Sequence, residues 1–296
     1  MAARFGQVVT AMVTPFDDEG RFDAAAAARL ARWLVEQGND GLVLAGTTGE
    51  SPTLSDDEKV ALWETVREAV DVPLLAGTGT YDTQQSIALT ERAAAVGVDG
   101  ALVVCPYYSR PSQAGIEAHI RAVADATDLP VVIYDIPIRT GRKIATELLL
   151  RLAHEVPTVL GVKDASADPG ETAHLIAAAP DGFEVYSGDD AMTLPLLAVG
   201  AVGAIGVATH WTAPQHQEMF RRFNAGDIEG VRSVNAGLLE SFAFETSAEA
   251  PNPIPAKAMM RALGHAVGQC RLPIGPAPAG VDDRAREIAK RLELIP

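Results

Sequence analysis

A single lysine, Lys163, ends the apolar run at 158–164 (TVLGVKD), and an acid follows it. A β-branched run of this kind is a buried strand by pattern. Burial disfavours an ammonium and lowers its pKa. A neutral amine is the nucleophile that imine formation with a carbonyl substrate requires. The plain alternative is that Lys163 pairs with a neighbour such as Asp164 or reaches solvent.

Other short apolar runs also end in residues that can do chemistry. One is followed by Gly46-Thr47-Thr48-Gly49-Glu50-Ser51, where two hydroxyls and several backbone N–H groups could bind a carboxylate or phosphate. An ordinary tight turn has the same composition. Another ends in Pro106-Tyr107-Tyr108, where tyrosines pack more often than they react. A third ends in Tyr134-Asp135-Ile136-Pro137, with Arg139 close behind. A tyrosine beside an arginine suits proton transfer next to an anion clamp; a structural hydroxyl and a surface arginine are the alternative. A fourth ends in Ser187-Gly188-Asp189-Asp190, whose acids could simply cap the next helix. Taken together, an amine, tyrosines, a threonine turn and an arginine suit metal-free carbon–carbon bond chemistry through a lysine imine.

Such residues act together only if the elements bring them together. Eight strand candidates, at 8–14, 41–45, 73–77, 100–105, 130–134, 158–163, 182–187 and 202–208, alternate with helical stretches. They are short and apolar, as strands covered on both faces are. Ser55-Asp56-Asp57-Glu58 has capping-box form. Asp23 caps an earlier helix that presents Leu30, Trp33 and Leu34 and stops at Gly38. Asp82 opens a helix ending at Gly97, and Ser112 opens one reaching about Thr127. The alternation predicts a closed parallel (β/α)8 TIM barrel, whose active site lies at the C-terminal strand ends. No strand candidate is followed by G-x-G-x-x-G, which disfavours a doubly wound dinucleotide fold. Residues 213–245, 252–264 and 282–295 read as further helices, with a Pro/Gly-rich connector at 272–280. The expected organisation is a barrel over 1–227 and an appended C-terminal helical segment over 228–296, packed on the barrel.

Composition narrows the function. The 296 residues are 48% hydrophobic and carry a net charge of −15, which disfavours nucleic-acid and anionic-membrane partners. Two distant cysteines and six scattered histidines show neither a disulfide framework nor metal-ligand spacing. No apolar run reaches the ~18 residues of a membrane span, and no signal-peptide pattern opens the chain. These features predict a cytoplasmic protein without a metal.

With these residues assembled, the chain resembles the dihydrodipicolinate synthase / N-acetylneuraminate lyase family of pyruvate-dependent, aldolase-type barrels. The matching stretches are GTTGES at 46–51, PYYSRPSQAG at 106–115, YDIPIRTG at 134–141, GVKDAS at 161–166, SGDDA at 187–191 and NPIPAK at 252–257. The resemblance implies that Lys163 forms an imine with pyruvate, so that no separate cofactor is needed. It implies that Tyr134 transfers protons, that Thr47 and Tyr108 complete a relay with it, and that Tyr108 comes from a neighbouring subunit. Thr48 would bind the pyruvate carboxylate. Arg139 would hold the carboxylate of L-aspartate 4-semialdehyde, and backbone around Gly188 and Ile205 would line the pocket. A homotetramer built as a dimer of dimers is the implied assembly.

Two departures stand out. The lysine-inhibited members use a polar inter-subunit site whose matching positions here are Asp56, Lys59, Tyr81 and Gln85. Tyr107 fits that site but most of its polar set is replaced, which predicts weak or absent inhibition by lysine. Gly206 stands where many synthases carry serine, and the sequence offers no mechanistic reading of that change. The competing functions are an aldolase cleaving sialic acid or a 2-keto-3-deoxy sugar acid, a non-catalytic keto-acid-binding barrel and a phosphate-sugar isomerase. Thr47-Thr48, and Ala191 after Asp190, favour synthase over sialate lyase. Intact Lys163, Tyr134 and Thr47 disfavour mere binding. The isomerase would need a catalytic strand-end glutamate and a Gly-rich phosphate loop after strands 7 and 8, and only Gly203 and Gly206 hint at that loop, where they equally serve to make room inside the barrel.

Overall fold

Short β-branched runs interrupted by well-capped helices fold as the alternation predicts. In the computed structural model, which describes residues 3–296, eight parallel strands close into a barrel in the order β1 to β8. They are β1 (Val8–Ala11), β2 (Gly41–Leu44), β3 (Leu74–Gly77), β4 (Gly100–Val104), β5 (Val131–Asp135), β6 (Val159–Asp164), β7 (Glu184–Ser187) and β8 (Gly203–Gly206). The helices between them are α1 (Ala24–Glu36), α2 (Asp56–Ala69), α3 (Thr83–Val96), α4 (Gln113–Ala124), the short α5 (Pro137–Thr140), α6 (Thr146–Glu155), α7 (Pro169–Ala178) and α8 (Thr193–Ala198). After β8 come α9 (Thr209–Asn224), α10 (Ile228–Phe244), α11 (Ile254–Ala262) and α12 (Val281–Arg291). The chain divides into two compact units.

The first unit comprises Pro73–Ile205 with the described N-terminal residues from Ala3 to Gln7. Its strands pair in sequence order, and alternate residues of each face the helices. Val103, Val131, Ile133, Val162 and Val185 belong to one buried apolar cluster with Ile116, Ile120 and Val123 of α4 and Leu148, Leu149 and Leu152 of α6. Asp82 caps α3 by accepting from the Gln85 N–H, and Gly97 ends it in the left-handed region at φ 82°. Ser112 caps α4 by accepting from the Gly115 N–H. That helix ends at Ala124 rather than near Thr127, because the carbonyls of Arg121 and Val123 close the last turn onto the Asp125 N–H.

One irregularity in this unit sets the phase of β6. Val131 is the register partner of Val159, but Val132 is the partner of Gly161, so Leu160 is an extra residue. This bulge is why Val159 and Val162, three apart, both lie in the cluster shared with the helices. It leaves Gly161 and Lys163 on the opposite face.

The second unit comprises Val8–Val72 and Gly206–Pro296. Here β1 pairs with β2, with Thr10 opposite Leu42. Asp23 caps α1, and Ser55 and Glu58 form a complete capping box on α2. The first strand stops at Ala11 instead of continuing to Thr14. The N–H of Val13 donates to His210 Nε2 at 3.1 Å and that of Phe16 donates to the Val267 carbonyl, so the chain has left the ladder. The last strand likewise ends at Gly206, two residues before the N-cap of α9.

The expected single helical stretch at 213–245 is two helices. Gly226 takes φ 73°, and the Asp227 carboxylate caps α10 by accepting from the Gly230 N–H at 2.9 Å. Trp211 ties α9 back to α10 by donating to Ser241 Oγ at 3.0 Å. Among the described residues, no helix is long and apolar enough to cross a membrane.

Candidate active site

Lys163 and Tyr134 are register partners at the ends of β6 and β5. Their side chains share the face turned away from the helices. The Lys163 Nζ lies over the Tyr134 ring, 4.4 Å from its centre. Lys163 is only 4% exposed. Asp164 is not turned with it, because successive strand residues point to opposite faces. The Asp164 carboxylate accepts from the Ser166 N–H at 2.8 Å and from Thr172 Oγ1 of α7 at 2.5 Å.

Asp135, on the helix side of β5, is likewise occupied. It accepts from Lys143 Nζ at 2.8 Å and from the Ile144 N–H at 3.2 Å. Burial raises its pKa and Lys143 only partly offsets this. These two acids therefore build the wall behind the amine and the phenol.

Gly188, just past β7, leaves the space that the lysine stem fills. A Cβ there would sit 2.9 Å from Lys163 Cγ and 3.0 Å from Lys163 Cε. Of the acids after it, Asp189 behaves as a cap, accepting from the Ala191 N–H at 3.0 Å. Ile205, in β8, is fully buried.

The segments that carry Arg139 and Tyr108 are fastened together. Arg110 Nε donates to the Gly141 carbonyl at 2.8 Å, and Arg142 donates back to the Arg110 carbonyl at 3.0 Å. Arg139 is exposed on α5. Tyr108 is 93% exposed and held at φ 69°, an unfavourable backbone conformation for so bulky a residue. Tyr107 is instead packed edge-on against Tyr81, with ring centres 5.5 Å apart, and burial pushes its phenol pKa up.

In the second unit the threonine turn is folded on itself. The Glu50 N–H donates to the Thr47 carbonyl at 3.1 Å, and the Ser51 N–H to the Gly46 carbonyl at 3.2 Å. Gly49 admits no side chain without crowding, because a Cβ would be 3.1 Å from the Ala45 backbone and from the Met12 carbonyl. Thr47 is half-buried and Thr48 is buried.

The turn is also gripped by the stretch NPIPAK, to which sequence reasoning assigned no role. Thr48 Oγ1 accepts from Asn252 Nδ2 at 3.0 Å. The Glu50 carboxylate pairs with Lys257 Nζ at 2.6 Å and accepts from the Arg271 N–H at 2.8 Å. Lys257 has no exposed surface, donates to the Gln269 carbonyl at 3.0 Å and lies 4.0 Å from the centre of the Phe16 ring. Burial lowers its pKa, and Glu50 opposes that. A lysine within an otherwise apolar helical stretch was the only signal the sequence held for this pair.

Among the described residues, no group of three or more His, Cys, Asp or Glu side chains could hold a metal ion. A buried amine over a tyrosine ring, at adjoining strand ends of a parallel β/α barrel, defines a class: barrels equipped for carbonyl chemistry at a lysine. Within that class the chain belongs to the dihydrodipicolinate synthetase family, whose model matches residues 4–292.

Individual relatives agree along nearly the whole length. A 4-hydroxy-tetrahydrodipicolinate synthase from Moorella thermoacetica is 47% identical over 92% of this chain and 92% of its own. The enzyme of the same name from Cyanothece is 44% identical over 98% of this chain and 99% of its own. The crystal structure of the dihydrodipicolinate synthase of Cyanidioschyzon merolae with lysine bound superposes with a TM-score of 0.96 at 39% identity, covering 99% of this chain and 100% of that one.

Proposed function

We infer that this protein condenses pyruvate with L-aspartate 4-semialdehyde to give 4-hydroxy-tetrahydrodipicolinate, the first committed step towards diaminopimelate and lysine. The observation that carries the reading is Lys163, buried and paired in register with Tyr134, in a chain related over its whole length to synthases of that name. Neutral Lys163 attacks the pyruvate carbonyl. Loss of water gives the imine, and loss of a methyl proton gives the enamine. The enamine carbon attacks the aldehyde of the semialdehyde. The substrate's own amine then attacks the imine carbon, closing the ring and releasing Lys163.

The protein's remaining groups have assignable tasks on this reading. Tyr134 hands protons to and from the carbinolamine oxygen, with Thr47 and Tyr108 as its relay. Thr48 holds the pyruvate carboxylate, and Arg139 takes the carboxylate of the second substrate. Gly188 and Ile205 line the pocket. No cofactor is required, because Lys163 itself carries the substrate. The exposed Tyr108 serves the site of a neighbouring subunit, so the active protein is at least a dimer and is arranged as a homotetramer. A cytoplasmic location is part of this reading.

Pyruvate consumption on adding L-aspartate 4-semialdehyde tests the reading, with Lys163→Ala as control. Rapid loss in the native protein and none in the variant is expected. Absence of turnover, with pyruvate still fixed to Lys163 by borohydride, would shift the substrate to a sugar acid. Absence of fixation would remove the imine altogether.

A further inference from the structure

Thr48 and Asn252 are 204 positions apart in the chain, yet their side chains meet in a hydrogen bond inside one buried cluster. A threonine hydroxyl has one proton to give and two lone pairs to receive. Asn252 Nδ2 occupies one lone pair at 3.0 Å. The hydroxyl proton is thereby left to point at something else. An anion placed against the turn is the acceptor that this arrangement suits.

The donor is itself fixed. The Asn252 N–H donates to Thr246 Oγ1 at 3.2 Å. Further along the same stretch, Lys257 closes on Glu50 at 2.6 Å. The turn is thus held at two points, Thr48 and Glu50, by two residues of one segment. Ala45 and Glu50, just before and within the turn, have φ of 54° and 58°, a region that residues other than glycine enter at a cost. Two side-chain clamps on such a backbone fix the hydroxyl in place as well as in orientation.

We propose that Asn252 is a positioning residue that holds the Thr48 hydroxyl as a donor towards the carboxylate of the keto acid, while the Lys257–Glu50 pair fixes the turn that carries it. The proposal rests on the reading that Thr48 binds that carboxylate. Asn252 acts through Thr48 and need not touch the substrate.

The test measures the pyruvate concentration that half-saturates borohydride labelling of Lys163, together with kcat and KM in the coupled reaction. Asn252→Ala is expected to raise the half-saturating concentration and the pyruvate KM about tenfold, the range of a hydrogen bond to a charged group, with a smaller change in kcat. Asn252→Asp keeps the side chain's shape, so it reports even where Ala loosens the fold. Its carboxylate accepts the Thr48 proton and turns it from the ligand, so it is expected to be worse than Ala. In a Thr48→Val background, Asn252→Ala should have no further effect, because the hydroxyl it orients is gone.

An Asp variant milder than Ala, or an undiminished effect of Asn252→Ala on top of Thr48→Val, would overturn the proposal. So would native labelling with all Asn252 variants saturating as the native protein does, and that result would leave the proposed function standing. Native protein that pyruvate does not label at all would remove the proposed function, and the positioning role with it.

Discussion

The Lys163 Nζ sits 4.4 Å from the centre of the Tyr134 ring because the two residues are register partners on adjoining strands. That partnership depends on the extra residue, Leu160. Without the bulge, Val159 facing the helices would put Lys163 on the helix side too, since faces alternate with period two. One added residue therefore decides whether the amine faces the tyrosine or the apolar cluster.

The space for that amine comes from Gly188. Gly188→Ala would set a methyl 2.9 Å from Lys163 Cγ and push the stem aside. A displacement of about 1 Å at a reacting group can cost about a hundredfold in rate. The variant is expected to lose about that much kcat/KM while remaining folded, because its overpacking penalty is about 1–3 kcal/mol. Steady-state kinetics with a parallel urea unfolding curve check both halves. Unchanged kinetics would show that the stem has room to move.

The buried pair of Lys257 and Glu50 is expected to dominate the stability of its unit. Lys257→Met leaves the Glu50 carboxylate buried without its cation, a change that costs about 3–5 kcal/mol. Adding Glu50→Gln should recover part of the loss by removing the stranded charge. Urea midpoints of the single and double variants measure this. Equal midpoints for the two would mean that the carboxylate finds another partner.

Acid stability should carry the mark of Glu117. Hydrogen bonds from Arg151 and then Arg121 hold its carboxyl down at about 2, against an ordinary value of 4.5. The folded state therefore binds that proton less readily than the unfolded state. The stabilisation is complete above about pH 4.5 and is lost as pH falls towards about 2. Glu117→Gln should flatten the pH dependence of unfolding within that window and leave it unchanged at neutral pH, apart from a constant offset. The cluster faces solvent, so added salt should shrink the effect. A variant whose acid limb matches the native one would rule the cluster out as a contributor.

Lysine is expected to inhibit weakly or not at all. In the second unit Lys59 is buried, 3.7 Å from the Asp56 carboxylate, and desolvation lowers its pKa. In the first unit Tyr81 packs on Tyr107, and Tyr81 and Gln85 stand where the lysine-inhibited pattern has an asparagine and a glutamate. Titrating activity with millimolar lysine decides the matter, and strong inhibition would contradict the expectation.

Local chemistry in the sequence determined much of this protein. The caps at Asp23, Ser55, Asp82 and Ser112 fall where the side chains of short polar residues can reach nearby N–H groups, a matter of three residues. The strand runs, the barrel they imply and the residues at the strand ends follow from composition and spacing in the same way. The boundary between α9 and α10 was missed, though Gly226 and Asp227 marked it, because apolar residues run on through both helices. Tertiary structure alone decided the rest. The bulge at Leu160 is a mismatch between two strands, and a single strand's periodicity does not contain it. The grip of Asn252 on Thr48 and of Lys257 on Glu50 joins residues some two hundred positions apart. Such pairings exist only after the chain has closed, because burial rather than sequence proximity makes an unpartnered amide or charge costly.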